Sequence, residues 1–206
     1  MATWLAVAAE RREFDGILRR FGVARKFAWP AAFAREAEWR GDRWLLIANG
    51  PGAGAVERAL EKKIEVNGIV STGFCGGLDP VLKVGDIVRE SIFSADRVAI
   101  TSAEKKAMRE KTGAAAVDME SAALAKIAAN WGVPFFCIRA VSDTSNEDMP
   151  LDFNRYRLGD GGFSRRRIAF AALARPFTAI PGLIRLDRNC QIAAESLGEY
   201  FADCKL

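Results

Sequence analysis

Short apolar runs that end in glycine or in charged residues recur along the chain. Each has the length of a buried strand rather than of a helix. Four clear runs predict strands at residues 4–8, 44–48, 68–72 and 134–138. Two weaker ones predict short strands at 86–88 and 98–101. The chain therefore contains enough strands for a sheet.

Helical patterns follow the first two strands. Phe14, Ile17, Leu18 and Phe21 lie at helical spacing, and a second helix is expected through Val56 and Leu60. Repeated strand, glycine turn and helix are typical of an α/β domain. We therefore predict one domain over residues 1–206, with a mixed, mostly parallel central sheet flanked by helices. Sites in such sheets lie at the carboxyl ends of strands.

The pattern changes from residue 151 onward, and we treat 151–206 as a variable, basic helical segment. Within it, arginines alternate with apolar residues over 164–186, interrupted by Pro176 and Pro181, and a final amphipathic helix is expected from about 189 to 204. The 164–186 part suits two placements. It would lie at a membrane interface, or it would pack its apolar face on the sheet with the arginines in water.

Composition excludes several function classes. The 206 residues are 50% hydrophobic and carry 30 basic and 26 acidic side chains, a net charge of +4 that does not imply nucleic-acid binding. The chain has no histidine, which removes Ser-His and Cys-His nucleophile systems and His-ligated zinc. Four cysteines without CxxC spacing indicate a reducing, cytoplasmic location. No run reaches the ~18 apolar residues of a membrane span, and the N-terminal pattern is not that of a signal peptide.

Two motifs carry the charged residues that are best suited to catalysis. VDMESAALA (117–125) places Asp118 and Glu120 at the start of an Ala-rich helix, and RAVSD (139–143) places Arg139 and Asp143 at the exit of a strand. Structural roles also account for single residues: first-turn acids interact with a helix dipole, and an Asp after a strand caps a helix. An unpaired buried arginine would be expensive, so Arg139 must meet an acid or an anion.

Glycine-rich segments at 50–52 and 73–77 allow two interpretations. Backbone N–H groups there would bind a phosphate, or the glycines would only permit tight turns. Neither segment matches a P-loop or a GxGxxG fingerprint.

The segment STGFCGGLDPVLKVGDIV (71–88), followed by VDMESAALA, resembles the signatures of the nucleoside phosphorylase and nucleosidase superfamily. Enzymes of this superfamily break the bond between a purine and its ribose. The chain's length and its tail look most like the compact hopanoid-associated branch, which is thought to act on an adenosine carrying a lipid at C5′. The resemblance implies a nucleoside phosphorylase-like fold, a homodimer or larger homo-oligomer, no metal or organic cofactor, and phosphate as an alternative co-substrate.

The resemblance also implies roles for single residues. Asp143 delivers a proton to purine N7, Glu120 binds the ribose hydroxyls, and Arg139 lies near the nucleophile. Glu13 activates the attacking water, with Glu10 as its rival. The other expected substrate contacts are Met119, Asp118, Ser142, Phe74, Gly73, Thr72, Pro51 and Phe153. To act as an acid near pH 7, Asp143 needs burial or a neighbouring negative charge, which Asp118 or Glu120 would supply.

Two departures from the family pattern are visible. Phe74 stands where many relatives have a serine, and the span between residues 88 and 117 is far shorter than in methylthioadenosine/S-adenosylhomocysteine nucleosidases. We interpret the chain as an enzyme that cleaves a 5′-substituted purine nucleoside with water or phosphate, with a small-molecule substrate that is lipid-linked in the hopanoid case. In that case residues 164–186 would contact the inner membrane surface. The alternative is a catalytically idle nucleotide- or lipid-binding protein on the same scaffold.

Overall fold

A nine-stranded mixed sheet organises the computed structural model, which describes residues 1–159 and 162–203. The strands are β1 (Thr3–Ala8), β2 (Arg25–Lys26), β3 (Phe33–Trp39), β4 (Asp42–Ala48), β5 (Gly68–Gly77), β6 (Ile87–Val88), β7 (Ile92–Ser94), β8 (Ala116–Asp118) and β9 (Phe135–Asp143). The helices are α1 (Asp15–Phe21), α2 (Ala53–Ala59), α3 (Ser102–Thr112), α4 (Ser121–Trp131), α5 (Arg165–Leu173) and α6 (Pro176–Asp203). Short 3₁₀ turns occupy Arg11–Phe14 and Phe153–Tyr156.

The central strands run parallel. The strand order is β2-β3-β4-β1-β5-β8-β7, and β9 pairs with both β5 and β6. β1 is parallel to β4 and β5, and β5 is parallel to β9, whereas β3 meets β4 and β8 meets β5 antiparallel. This confirms the expected α/β architecture with a mixed, mostly parallel sheet.

Helices cover both faces of the sheet because the central strands are apolar on both sides. In β1, Ala6 and Ala8 face a core shared with α1 and α6, whereas Leu5 and Val7 face a core shared with α2 and α4. The alternation has the period of two expected of a strand.

Helix α1 crosses α6 at a glycine–glycine contact. A Cβ atom on Gly16 would overlap the Ala194 carbonyl group, and one on Gly198 would overlap the Gly16 backbone. Arg20 of α1 pairs with Glu195 of α6 beside this crossing. The two helices therefore touch backbone to backbone.

Several sequence expectations need correction. Residues 73–77 form the second half of β5 rather than a turn, because they pair with β9 and β8, with a bulge between Cys75 and Gly76. Residues 98–101 form no strand; Val98 hydrogen-bonds the Asn154 side chain instead.

The C-terminal prediction also differs from the structure. The last helix begins at Pro176, where a missing N–H costs nothing, and continues through Pro181 to Asp203. Its expected end, residue 204, lies outside the described residues. No helix among the described residues combines the length and the apolar composition needed to cross a bilayer.

Candidate active site

A cavity of about 650 Å³ opens at the carboxyl edge of the sheet. The ends of β1, β5, β8 and β9 form its floor, and α5 and α6 contribute Ile168, Leu183 and Leu186 to its wall. The predicted site residues that line it are Glu13, Pro51, Phe74, Asp118, Met119, Glu120, Ser142, Asp143 and Phe153. Thr72, Gly73 and Arg139 do not line the cavity. The structure thus brings most of the predicted set together.

Glu13 lies on the 3₁₀ turn that follows β1 and is almost fully buried. Its carboxylate accepts hydrogen bonds from the backbone N–H groups of Ala9 (2.7 Å), Glu10 (2.9 Å) and Phe74 (3.0 Å). Burial raises the pKa of Glu13 to about 7, although the nearby Arg139 charge acts in the opposite direction. A carboxylate with this pKa suits a general base near neutral pH.

Glu10, the rival candidate, has a different environment. It also lines the cavity, but its side chain is one-third exposed (34%) and pairs with Arg12 at 3.0 Å. Glu13 is the more buried of the two carboxylates.

Gly73 packs directly against the Glu13 carboxyl group. Its φ is +125°, and a Cβ atom there would lie 2.8 Å from the Glu13 carboxyl carbon. Glycine is needed here for both conformation and space.

Glu120 immediately precedes α4 and is held from two sides. Its Oε1 accepts a 2.7 Å hydrogen bond from the Gly52 N–H, and its Oε2 lies 3.3 Å from Arg139 Nη2. Burial raises the pKa of Glu120, and Arg139 opposes that rise. The N–H groups of Gly52 and Phe74 thus serve carboxylates rather than a phosphate, contrary to the cradle interpretation of the glycine segments.

Arg139 is completely buried in the middle of β9. Its guanidinium lies 2.6 Å from Asp118 Oδ2 and donates to the Thr72 carbonyl (3.0 Å) and to Ser71 Oγ (2.8 Å). Burial disfavours its charge, but Asp118 and Glu120 outweigh that effect, so the pKa of Arg139 lies above its usual value. Arg139 therefore pairs with acids, as expected. It does not line the cavity itself, but it contacts Glu120, which does.

Asp118 is held on every side. It accepts hydrogen bonds from the Ser121 N–H and Oγ (both 2.9 Å) and from Ser94 Oγ (2.5 Å), besides its ion pair with Arg139. Its carboxylate caps the start of α4 and fixes the arginine. This geometry indicates a supporting position for Asp118.

Asp143 ends β9 at the cavity floor. Ser142 Oγ donates to its Oδ1 at 2.7 Å, and its Oδ2 lies 2.7 Å from Lys105 Nζ. A Cβ atom on Gly76 would lie 3.1 Å from that same Oδ2, so the glycine leaves room for the carboxylate. Residues 144–152, which follow Asp143 directly, form turns and coil rather than a helix, so the helix-cap interpretation is wrong.

The immediate ionic neighbour of Asp143 is a cation, whereas the sequence led us to expect a negative charge. Lys105 lies on α3 and is fully buried. Sequence reasoning missed it because EKKAMREK resembles a solvated charged helix. The sequence distinguishes Lys105 from the exposed Lys106 in one respect: Lys105 lies three residues before the half-buried Met108, on the same face of the helix.

Phe74 and Phe153, two further predicted substrate contacts, belong to the apolar wall of the cavity. Phe74 lies beneath the Arg12 guanidinium, 5.8 Å from ring centre to Cζ, and Phe153 lies 6.0 Å from the ring of Phe163. Among the described residues no group of three Cys, Asp or Glu side chains is arranged to hold a metal ion.

Residues 91–160 match the family model described as the phosphorylase superfamily. A 5′-methylthioadenosine/S-adenosylhomocysteine nucleosidase of Shewanella halifaxensis (strain HAW-EB4) is 29% identical over 163 residues, covering 78% of this chain and 57% of the relative. One of Mycobacterium bovis is 31% identical over 98 residues, covering 48% of this chain and 36% of the relative. The matched segments thus span little more than half the length of the first relative and about a third of the second.

Solved structures share the fold over nearly the whole chain. The 5′-methylthioadenosine/S-adenosylhomocysteine nucleosidase of Helicobacter pylori with butyl-thio-DADMe-Immucillin-A superposes with a TM-score of 0.72 at 14% identity, covering 98% of this chain and 96% of that one. Futalosine hydrolase of Helicobacter pylori gives 0.71 at 14% identity, covering 97% and 95%. Residues 91–160 thus carry the sequence pattern of the phosphorylase superfamily, and the chain shares the fold of these solved nucleosidase and hydrolase structures.

Proposed function

We propose that the protein cleaves the N-glycosidic bond of a 5′-substituted purine nucleoside of the adenosine type and releases the free base. The observation that carries this proposal is that Glu13, Glu120 and Asp143 line one cavity, each in a different environment. The names of the sequence relatives, which are nucleosidases, support it.

Each carboxyl group has a separate task in this reaction. Asp143 donates a proton to the base, so that the base leaves as a neutral molecule. Glu120 accepts hydrogen bonds from the ribose hydroxyls and stabilises the positive charge that develops on the sugar. Arg139 keeps Glu120 in place from below. Glu13 accepts a proton from the attacking water.

Water is the nucleophile that suits this site better than phosphate. Two carboxylates, Glu13 and Glu120, would repel an anion at close range. The backbone N–H groups of Gly52 and Phe74 that would otherwise bind it already donate to those carboxylates.

Base release distinguishes the candidate activities. The protein is incubated with adenosine, 5′-methylthioadenosine and inosine, with and without phosphate, and free base is measured by chromatography. Release of adenine without phosphate supports hydrolysis, and strict dependence on phosphate would make the protein a phosphorylase. No base under any condition would favour the idle binding protein.

An apolar wall favours a hydrophobic group at the 5′ position. Pro51, Phe74 and Phe153 line the cavity, and Ile168 and Leu183 extend the wall toward α5 and α6. Each buried CH₂ contributes about 0.8 kcal/mol, or about fourfold in affinity. A long-chain 5′-alkyl analogue should therefore outcompete 5′-methylthioadenosine, which should outcompete adenosine. Preference for adenosine or inosine would contradict the compact-branch assignment.

We further propose that the cavity receives a lipid-linked substrate from an anionic membrane surface. Helices α5 and α6, which line the cavity, expose Phe170 (73%), Leu173 (65%), Phe177 (93%) and Ile184 (65%). Arginines at 165–167, 185 and 188 lie on the same two helices, and Arg175 lies between them. Exposed apolar side chains among arginines are typical of segments that lie in a lipid headgroup region. Small residues such as Ala172 and Ala179 fill the packed side instead.

Vesicle sedimentation tests this contact. The protein should pellet with phosphatidylglycerol vesicles and much less with phosphatidylcholine vesicles. Phe177→Ser should weaken the binding, whereas Val23→Ser should not, because Val23 is similarly exposed (82%) but lies outside α5 and α6. Equal binding by both variants, or a stable dimer in solution that Phe177→Ser dissociates, would assign the surface to something other than lipid.

A further inference from the structure

Lys105 occupies a position that surface lysines do not. Its side chain is fully buried, and its Nζ lies 2.7 Å from Asp143 Oδ2, 2.7 Å from the Thr144 carbonyl oxygen and 2.9 Å from the Glu147 carbonyl oxygen. An ammonium group has three protons; two are donated to the backbone carbonyls, and the charge pairs with Asp143. One lysine therefore ties α3 to Asp143 and to the turn that follows it.

Stability alone is a weak explanation for this buried pair. Removing two charges from water is expensive, and apolar side chains of similar size often stabilise such a position as well or better. Lys105 also lines the cavity together with Asp143, so the pair is placed where the reaction is proposed to occur.

One oxygen of Asp143 accepts a hydrogen bond, and the other lies in an ion pair but accepts no hydrogen bond from the described residues. Ser142 Oγ donates to Oδ1, and Lys105 Nζ lies beside Oδ2. A carboxylate in this state has no proton of its own for the leaving base. The lysine ammonium holds a proton within 2.7 Å of it.

We propose that Lys105 is a positioning residue that supplies the proton of the leaving-group acid. The Nζ–H bond breaks as an O–H bond forms on Asp143 Oδ2, which leaves a neutral amine and a neutral carboxyl group. Asp143 then gives its proton to the base as the glycosidic bond breaks and returns to a carboxylate. The amine keeps two N–H bonds for the two backbone carbonyls, and it regains its third proton from water after product release.

Other ionisable groups around the pair cannot supply this proton in the same way. The Cys75 thiol on β5 and the Cys190 thiol on α6 interact with Asp143, and burial raises the pKa of both, that of Cys190 to about 12. The Glu147 carboxylate accepts from the Thr144 N–H and hydroxyl, and Asp148 near Lys105 caps the N–H of Ser102.

The proposed proton transfer from Lys105 predicts a change in the pH dependence of kcat. An ammonium group keeps its proton into more alkaline solution than a carboxyl group does. The wild-type rate should therefore persist to higher pH than the rate of a variant that lacks the lysine, in which Asp143 alone must carry the proton for the base.

The experiment compares kcat from pH 5 to 10 for wild type, Lys105→Met and Lys105→Gln, with release of adenine as the readout. Lys106→Met is the matched control, because Lys106 is the neighbouring residue on α3 and is 79% exposed. Circular dichroism checks folding, and Lys105→Gln, which keeps two N–H donors for the carbonyls, provides a second variant if Lys105→Met is unstable.

We expect the alkaline limb of kcat to move down by at least one pH unit in both Lys105 variants, with KM within a few-fold of wild type and no change in Lys106→Met. A loss of kcat by the same factor at every pH, or an unchanged profile, would overturn the inference while leaving the proposed function in place. The inference rests on that function, so absence of base release from the wild type would overturn both.

Discussion

Replacing Glu13 by Gln tests the cause of its unusual pKa. Burial raises the pKa of Glu13 from an ordinary value of 4.5 to about 7. Each pKa unit corresponds to about 1.4 kcal/mol, so the shift is on the order of 3 kcal/mol of linkage between protonation and folding. The folded state binds the proton more tightly than the unfolded state. This contribution to stability is complete below about pH 4.5 and is lost as pH rises through about 7.

The glutamine variant removes this pH dependence. Its amide group stays neutral, although its NH₂ must face one of the three backbone N–H donors that now contact Glu13, a penalty that does not vary with pH. We therefore expect the difference in unfolding free energy between variant and wild type to shift in the variant's favour by ~2–3 kcal/mol between pH 5 and pH 8.

Urea unfolding of both proteins at pH 5 and pH 8 measures this shift. Glu10→Gln is the control, because Glu10 is partly exposed and ion-paired with Arg12. The same difference at both pH values would refute the burial argument. In the activity assay, the wild-type rate should fall as pH drops below about 7, because the base must be unprotonated to accept a proton.

Three further substitutions test other parts of the site. Asp143→Asn should lower base release by ~10²–10⁴-fold with little change in the affinity for a nucleoside analogue measured by calorimetry; near-normal turnover would assign the acid role elsewhere. Gly73→Ala should lower the free energy of unfolding by at least about 1–3 kcal/mol, and more than Gly113→Ala, because both have positive φ but only Gly73 faces a carboxyl group. Arg139→Met should cost about 3–5 kcal/mol in urea unfolding, because two buried carboxylates lose their cation; a loss below about 1 kcal/mol would show that they are neutral.

Local sequence patterns predicted the parts of the fold that depend on local burial. Apolar runs located β1, β4 and the first halves of β5 and β9, because strands buried on both faces read as continuous apolar segments. Asp143 lies at the end of one such run, where sites in parallel sheets are expected, whereas Glu13 and Glu120 were identified as site residues through the resemblance to the superfamily.

Features that depend on distant partners were not predictable in this way. The glycines of 73–77 resemble a turn locally, and they become a strand only because β9 and β8 supply hydrogen bonds. Strand β3, FAREAEW, does not strictly alternate, and the spacing of its apolar residues Phe33, Ala34 and Ala37 would also suit a helix, so its pairing with β4 decides its conformation. The burial of Lys105 was not predictable for the same reason, because its partners Asp143, Thr144 and Glu147 lie about 40 positions away in the chain.

The contact between Gly16 and Gly198 links the first helix of the chain to the last. Arg20 and Glu195, which pair beside it, are 175 positions apart. During synthesis, the segment that carries Glu13 would leave the ribosome long before the helix that it packs against. A long loop must close before this contact forms, and such contacts slow folding. The side of the cavity that Glu13 forms is thus expected to assemble last, after the side that Asp143 forms.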